Sequence, residues 1–245
     1  MVRTVALLTE KYLVEAIRTP AIAISCLIPL IIMLMLRFTM GDYLIEAGGR
    51  DAQTFSFFVF TYVLLFEGVM VASMTVLYAM AEEREKRVRR TLALAGVSTV
   101  HLLIARGLTT ELVIGLSCGL CYLIFGAPLE GLAPFIAVAL VGSLPLVLIS
   151  LPLGLAARNQ MDVMVLDTPL IFLAIGPMLI TYSETLSPFI IFFPTGGLFE
   201  LAWMTPAEWT LANLIAPFLS ILVWTILATI ALVVAYRHIP HCEDI

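Results

Sequence analysis

The most highly charged part of this chain is the stretch Glu82-Glu83-Arg84-Glu85-Lys86-Arg87-Val88-Arg89-Arg90. A long apolar run ends just before it, and a short, more polar segment, Thr91–Ile104, separates it from the next apolar run. Charged side chains are costly inside a bilayer. If the apolar runs cross a membrane, the charged stretch therefore marks a membrane surface, and its side fixes the direction of every other run.

The rest of the chain is predominantly apolar. Hydrophobic residues make up 61% of the 245 residues, charged residues make up 13%, and the mean hydropathy is +1.06. A soluble domain has roughly 45–50% apolar and about 25% charged residues, so a water-soluble core does not account for this composition. The composition predicts an all-α membrane protein with a single membrane domain over residues 1–245.

Six apolar runs are long enough to cross a membrane, since a helical span needs about 20 residues. They lie near residues 21–40, 54–80, 107–125, 133–156, 163–182 and 214–236. Before them, Thr4–Arg18 has Lys11 and Glu15 on one side of a helix and Leu13 and Ile17 on the other. This pattern predicts an N-terminal helix that lies in the membrane interface, and its charges argue against a cleavable signal peptide.

Basic residues are unevenly distributed among the loops. With six spans, all but two of the 13 basic residues fall on one side: Arg3, Lys11, Arg18, Arg84, Lys86, Arg87, Arg89, Arg90, Arg106, Arg158 and Arg237. Arg37 and Arg50 fall on the other side. Because basic residues favour the cytoplasmic side, both termini are predicted to be cytoplasmic. The chain has no basic tail, so no nucleic-acid partner is predicted.

The segment between the fifth and sixth spans, Glu184–Asn213, is partly apolar but contains Pro188, Pro194, Gly196 and Gly197. Proline and glycine interrupt helices, so the intervening pieces are too short to cross a bilayer. We therefore predict two short helices that re-enter the membrane from the outer side, where protein or a water-filled cavity covers their backbone.

The sequence offers few candidates for catalysis or metal binding. It contains no phosphate-binding P-loop, so the chain itself is expected neither to bind ATP nor to be an enzyme. Cys118 and Cys121 form a CxxC pair inside an apolar span with no second pair of ligands. They are predicted to be packing residues, as are Cys26 and Cys242, and no metal site is expected.

One pattern favours an enzyme. Glu82, Glu83 and Arg87 match the EExxxR pattern of intramembrane CAAX-protease-like enzymes, in which histidines on other spans assist the glutamate. The histidines of this chain are His101, His238 and His241. All of them fall in predicted cytoplasmic segments, so none is placed where such a site is built, and this interpretation is disfavoured.

The charged stretch and its continuation resemble the ABC-2-type permease family, the membrane subunits of type-2 ABC exporters. The resemblance rests on the overall layout and on three short runs, Glu83-Arg84-Glu85-Lys86, Thr91-Leu92 and Gly96-Val97-Ser98. The glycine that usually precedes Thr-Leu in the family is missing. The resemblance implies a short coupling helix, here Thr91–Ile104, that lies along the cytoplasmic face.

The resemblance also implies partners. Two permease chains pair, as a homodimer or a heterodimer, and two separate ATPase subunits bind ATP and Mg²⁺ and dock on the coupling helices. The residues implied for docking are Glu82, Glu83, Arg84, Glu85, Lys86, Arg87, Thr91, Leu92, Leu94, Val97 and His101. The charged members are expected to form salt bridges to the ATPase, and Leu92, Leu94 and Val97 to add apolar contacts.

Glu67 lies in the middle of the second predicted span, where an ionisable side chain usually faces protein or water. At helical spacing it shares a face with Phe60, Leu64, Val71, Met74 and Tyr78. Two interpretations are equally supported. This face lines the transport pathway or contacts the second permease, or a protonated Glu67 is bonded to a neighbouring helix. Arg37 is a candidate partner for Glu67.

Two further acids, Glu111 and Asp167, are predicted near the cytoplasmic ends of the third and fifth spans, and Asp162 precedes Asp167 in the loop. Arg106 and Arg158 lie on the same side and are candidate partners for them. Ion pairs near a wet boundary contribute little free energy, so these pairs are expected only to orient the helices.

The resemblance implies an ATP-driven exporter in a cell membrane, of the bacterial plasma-membrane type. Short outer loops favour an amphipathic or lipophilic cargo, such as a drug, an antimicrobial peptide or a lipid-like molecule. One alternative is an ATP-independent channel or secondary transporter, which needs ionisable groups on several spans, whereas Glu67 is the only clear mid-span one. The other is a membrane scaffold or immunity protein, which needs no coupling helix.

Overall fold

The computed structural model describes residues 2–47, 50–181, 183, 185–204 and 208–238, and all their side chains except those of residues 2, 40–58, 89, 90 and 93. The helices of this part of the chain are α1 (Val2–Arg18), α2 (Pro20–Ala47), α3 (Arg50–Ala72), a π-helical segment (Ser73–Tyr78), α4 (Ala79–Glu85), α5 (Val88–Leu94), α6 (Thr99–Phe125), a 3-10 turn (Leu129–Gly131), α7 (Leu132–Ala156), α8 (Gln160–Ile180), a 3-10 segment (Ser187–Phe192), α9 (Gly196–Trp203) and α10 (Leu211–His238). The predicted features at Tyr182, Glu184, His241 and Cys242 lie outside the described residues.

Six of the described helical stretches are long and apolar enough to cross a membrane, which confirms the predicted number of spans. They are Pro20–Thr39, Val59–Glu85, Thr99–Phe125, Leu129–Ala156, Gln160–Ile180 and Leu211–His238. The second stretch is the most deeply buried of the six and the sixth is the least buried. The helix formed by α3, the π-helical segment and α4 is therefore the centre of the bundle, and α10 lies at its periphery.

Three helices extend beyond the apolar spans that were predicted within them, and the first candidate span itself, Pro20–Thr39, agrees with the prediction. The first span was predicted to end near residue 40, but α2 continues to Ala47. The second was predicted to begin near residue 54, but α3 begins at Arg50, and the third begins at Thr99 instead of near residue 107. The length of an apolar run indicates which part of a helix suits a bilayer. The helix itself continues beyond that run until a capping residue or a turn ends it.

The predicted coupling helix over Thr91–Ile104 is two separate helices. α5 ends just before Gly96, which has a φ of +79°, a left-handed conformation that glycine adopts at low cost. Ser98 then caps α6, and its side chain accepts a hydrogen bond from the backbone N–H of His101. The second half of the predicted segment is thus the start of α6, where Leu102 is buried.

The π-helical segment Ser73–Tyr78 changes the register of the central helix, because a π turn contains more residues than an α turn. In α3, which precedes this segment, Leu64 and Val71 pack towards α6, α7 and α9. Met74 packs instead towards α1 and α2, and Tyr78 packs both there and towards α7 and α8. The common face predicted for Phe60, Leu64, Glu67, Val71, Met74 and Tyr78 is therefore divided between two sides of the bundle.

Two short helical pieces stand between the fifth and sixth spans, as predicted. Their backbones approach their neighbours so closely that only glycine fits. A Cβ atom on Gly196 would lie 2.0 Å from the carbonyl oxygen of Ile190, and one on Gly197 would lie 2.4 Å from that of Pro217. The 3-10 segment Ser187–Phe192 and α9 are consequently folded tightly against each other and against α10.

Hydrogen bonds fasten these pieces to the bundle. Pro188 opens the 3-10 segment, and Pro194 lies between it and α9. Next to Pro194, the hydroxyl of Thr195 donates to the carbonyl oxygen of Ala174 in α8 at 2.7 Å. The hydroxyl of Ser220 in α10 donates to the carbonyl oxygen of Ile191 in the 3-10 segment, also at 2.7 Å. The pieces are therefore bonded to both flanking spans.

The amphipathic helix α1 packs on the bundle along one face. Leu8, Tyr12 and Ala16 are buried on that face, and Leu8 and Tyr12 form a cluster with residues of α6. Leu7 and Ile17 are exposed by 59% and 79%. α1 thus has a protein-facing stripe in addition to the exposed apolar side chains that suit a membrane interface.

Candidate functional site

The charged stretch lies at one end of the bundle, which we call the charged end. Here α4 ends and α6 begins, and α1 and the turn from α7 to α8 lie alongside them. The opposite end contains the turn from α6 to α7 and the short helix α9. The residues predicted to dock a partner all belong to the charged end.

A group of four side chains, of which Glu15 is partly exposed and the other three are buried, joins three helices at this end, and we call it the basal network. It consists of Tyr12 and Glu15 of α1, Glu83 of α4 and Arg106 of α6. The Nη2 atom of Arg106 lies 2.8 Å from Oε1 of Glu83 and 3.4 Å from both carboxylate oxygens of Glu15. The guanidinium carbon lies 3.7 Å from the centroid of the Tyr12 ring.

Burial makes these contacts stronger than surface ion pairs. The Arg106 and Glu83 side chains are exposed by only 3% and 5%. Removal of one partner from such a pair leaves an uncompensated buried charge, which costs about 3–5 kcal/mol. Burial, and next the negative charge of Glu83, raise the pKa of the Tyr12 hydroxyl, so Tyr12 is neutral in the folded protein. The basal network is therefore a rigid junction.

The two residues after Glu83 bond to the turn between α7 and α8. Arg84 Nη1 donates to the carbonyl oxygens of Leu155 and Ala157 at 3.3 and 3.1 Å, at the end of α7 where a cation is favoured by the helix dipole. Glu85 Oε1 accepts from the backbone N–H of Gln160 at 2.9 Å, at the start of α8. α4 is thus fastened to three other helices, α6, α7 and α8, within three consecutive residues.

The outward side of the charged end is a small surface formed by Lys86, Arg87, Thr91 and Leu94, which we call the tip surface. All four residues are exposed, and the Leu94 side chain is exposed by 82%. A hydrogen bond to Glu82, at 2.5 Å, raises the pKa of Lys86. The tip surface therefore presents two cations around an apolar side chain.

The structure corrects the direction of several residues predicted to contact a partner. Glu83 faces the interior, because its carboxylate is paired with the buried guanidinium of Arg106. Leu92 of α5 and Val97, in the turn that follows α5, pack against the cluster that α1 forms with α6. His101 Nδ1 lies 2.7 Å from the Ser98 hydroxyl, where it supports the start of α6.

Sequence reasoning missed Tyr12 and Glu15 as members of this site, and it assigned Arg106 to the wrong acids. Glu15 and Arg106 are separated by 91 positions in the chain, and Glu83 and Arg106 by 23. No local pattern connects residues so far apart. The positions of Tyr12 and Glu15, one helical turn apart on α1, were the available signal.

The acids of the spans are bonded to hydroxyl groups of neighbouring helices. Glu67 is fully buried, and Ser117 of α6 donates a hydrogen bond to its Oε1. Glu111 lies in the middle of α6, not near its end as predicted, and Ser143 of α7 donates to its Oε2 at 2.9 Å. The contact of Glu67 with Ser117 agrees with the interpretation in which this acid is bonded to a neighbouring helix.

The predicted partners of these acids are engaged elsewhere. Arg37 donates to the carbonyl oxygen of Phe125 at 2.9 Å, at the end of α6, so it is not the partner of Glu67. Asp162 accepts from the backbone N–H of Arg158 at 2.9 Å, and Asn159 accepts from the N–H of Asp162. These residues cap the start of α8 and do not pair with Arg106.

A family model described as "ABC-2 family transporter protein" matches residues 8–234. The chain belongs to the ABC-2 transporter family. No individual curated protein matches it in sequence. The match covers all six membrane-spanning candidates nearly completely, and it includes the whole charged end apart from the first turns of α1.

Membership of the ABC-2 transporter family, together with the six apolar helices, makes this a multi-pass membrane protein of the permease type. Permeases of this family are generally parts of ABC transporters that include ATPase partners. The charged end of this permease combines the exposed tip surface with the basal network that joins α1, α4 and α6. It is therefore the candidate functional site.

Proposed function

We propose that this protein is the membrane permease subunit of an ATP-driven ABC exporter. It forms half of a translocation pathway beside a second permease chain, identical or different. Two copies of a separate ATPase bind ATP and Mg²⁺ and dock on the charged ends of the pair. The chain itself is not an enzyme, and its part is to convert movement of the ATPase into movement of its helices.

The observation that carries this proposal is the two-sided character of α5. On the outward side Leu94 is exposed by 82%. On the inward side Leu92 packs against the cluster that contains Tyr12 and Leu102. A subunit that presses on Leu94 therefore displaces a helix that is in contact with α1 and α6, and through the basal network it also acts on α4.

The orientation, location and cargo follow from the same proposal. The charged end is cytoplasmic, because most basic residues lie on that side. α9 and the 3-10 segment before it re-enter from the outer side of a bacterial plasma membrane. The cargo is amphipathic or lipophilic, since the described loops at the opposite end are short and contain no folded domain that would hold a large polar molecule.

Affinity purification of the tagged chain from its native membrane tests the proposal. We expect a P-loop ATPase to co-purify in a one-to-one ratio with the permease in a mild detergent. ATP should then drive movement of cargo in vesicles reconstituted with both subunits. A chain that reaches the membrane folded but brings no ATPase with it contradicts the proposal.

A second candidate function is ion-coupled transport without ATP. It is favoured by the acids Glu67, Glu111 and Asp167, which lie within three different spans. Each has one buried oxygen without a hydrogen-bond partner among the described residues. Ionisable groups inside spans often serve proton or ion pathways. Cargo uptake driven by a pH gradient in vesicles that contain the permease alone would favour this function.

A further inference from the structure

A cavity of about 490 Å³ opens at the end of the bundle opposite the charged end. It lies between α3, α6, α7 and α9, and the 3-10 turn Leu129–Gly131 and Trp209 stand at its edge. This volume is within the range of about 300–1,000 Å³ that is usual for small-molecule sites. None of the docking residues of the charged end lines it.

The walls of the cavity are largely apolar, and an aromatic part of them is held in place. The ring centroid of Phe60 lies 5.2 Å from that of Tyr122 and 5.1 Å from that of Phe135. The Tyr122 hydroxyl donates to the carbonyl oxygen of Pro128 at 2.7 Å. A Cβ atom at Gly131 would lie 2.2 Å from that hydroxyl, so the absence of a side chain there leaves room for it. The rings are therefore preorganised before any ligand binds.

The charge at the cavity is negative. Of the described residues that line it, Glu130 is the charged one, and it is exposed at the edge, in the middle of the 3-10 turn. Trp209, exposed by 42%, lines the same cavity. Arg37 does not line the cavity, and its guanidinium is bound to the carbonyl oxygen of Phe125.

Aromatic faces attract cations through their quadrupole, and a carboxylate adds Coulomb attraction. The apolar walls, including Leu64 and Val138, favour aromatic or branched substituents on the same molecule. We propose that this cavity binds a lipophilic organic cation, an ammonium or phosphonium compound whose apolar groups occupy the aromatic walls while its charge lies near Glu130. The claim that this ligand is the cargo rests on the proposed exporter function. The claim that the ligand binds in the cavity does not rest on that function.

The test is equilibrium binding of tetraphenylphosphonium to the purified permease in non-ionic detergent, without any ATPase. We expect saturable binding that Glu130→Gln weakens by about threefold to fivefold, as loss of an ion pair at an exposed edge predicts. Trp209→Leu should weaken it by about twofold to fivefold through the lost cation–π contact. Matched controls are Glu10→Gln on α1 and Trp224→Leu on α10, neither of which lines the cavity; both should bind like the unaltered protein.

Short-chain lipids distinguish the sources of such a cation. If short-chain phosphatidylcholine displaces the probe and short-chain phosphatidylglycerol does not, the cavity takes the cationic headgroup of a lipid. If neither displaces it, the cavity takes a free cation, and both results support the proposal. Absence of saturable binding, or binding that Glu130→Gln and Glu10→Gln leave equal, overturns it. Because the ATPase is absent, failure here leaves the docking proposal intact, and loss of ATPase docking leaves this one intact.

Discussion

Arg106 of α6 and Glu83 of α4 form an ion pair of 2.8 Å in which both side chains are almost completely buried. The pair holds the end of the central span against the start of the third span, and Glu15 of α1 contacts the same guanidinium nitrogen. Two helices that cross the bundle in opposite directions are thus joined at one point, directly beneath the exposed helix α5. Under the exporter proposal, movement of α5 reaches the spans through this point, because Leu92 of α5 packs against the cluster that contains Tyr12.

Removal of either member of the pair should destabilise the permease. Arg106→Met or Glu83→Met removes one member of the buried pair and leaves the other with a weaker contact, Glu83 to Lys11 at 3.9 Å or Arg106 to Glu15 at 3.4 Å, so we expect a loss of up to about 3–5 kcal/mol in the free energy of unfolding. The double variant should lose clearly less than the sum of the two, since neither charge then remains in the pair. Thermal unfolding of the purified variants in detergent measures this. Additive losses would contradict the direct coupling of the two residues.

The ring of Tyr12 should matter more than its hydroxyl. Tyr12→Phe keeps the face that lies 3.7 Å from the Arg106 guanidinium and should cost less than about 1 kcal/mol. Tyr12→Leu removes the cation–π contact and should cost about 2 kcal/mol. Unfolding of both variants under the same conditions gives the comparison. Equal losses would show that the stacking of the ring on the guanidinium contributes nothing.

Alkaline pH provides a separate test of the Tyr12 environment. Burial raises the pKa of Tyr12 above its ordinary value of 10.0, so at alkaline pH the folded state keeps a proton that the unfolded state releases. The stabilisation linked to this group is complete below pH 10.0 and is lost as the pH rises above it. Tyr12→Phe should therefore lose less stability than the unaltered protein between about pH 9 and about pH 11. Parallel curves for the two proteins would contradict the raised pKa.

The close backbone contact at Gly196 should make this position intolerant of any side chain. A Cβ atom there would meet the backbone carbonyl of Ile190 at 2.0 Å, so Gly196→Ala should destabilise the protein by more than about 2 kcal/mol or displace α9. Gly107→Ala in α6 is the matched control, because its nearest contact, Leu151, is 3.9 Å away. The control should be neutral or more stable by up to about 1 kcal/mol. Thermal unfolding separates the two, and equal behaviour would refute the tight packing of α9.

Glu67 discriminates between the two candidate functions. Glu67→Gln keeps an oxygen that accepts the hydrogen bond from Ser117, so the bundle should fold normally. Under the exporter proposal, ATP-driven transport should remain within about twofold of the unaltered protein, whereas proton-coupled transport would be lost because an amide does not titrate. Transport assays with and without the ATPase decide this. Glu67→Ala removes the acceptor and should reduce the thermal stability. If neither variant changes transport or assembly, Glu67 has no role beyond filling space.

Local sequence patterns predicted the parts of this fold that depend on local composition. The apolar run lengths determined the six spans, and the proline and glycine positions between the fifth and sixth spans predicted two short helices. The prediction of a single helix over Thr91–Ile104 is wrong. The left-handed Gly96 follows the end of one helix and Ser98 caps the start of the next, although the residues around them are apolar. Both residues were visible in the sequence, where they indicate the end of one helix and the start of another.

The basal network depends on how helices pack, and a single sequence does not contain that information. Arg106 had many acids on its predicted side of the membrane, and helix contacts selected Glu83 and Glu15. The π-helical segment had the same effect on the central helix, because it rotated Met74 and Tyr78 away from the face that regular spacing assigned to them. The sequence indicated that the charged stretch follows the second span. It did not indicate which of its side chains point inward and which point outward.

We propose that the ATPase docks on the tip surface. Paired leucine variants provide the sharpest test of this docking site. Leu94 and Leu129 are exposed by 82% and 72%, at opposite ends of the bundle. Each is changed to aspartate in the tagged chain, and the amount of P-loop ATPase that co-purifies per permease is measured. We expect Leu94→Asp to lose most of the ATPase and Leu129→Asp to retain it, with both permeases folded. Full retention of the ATPase by Leu94→Asp would contradict it.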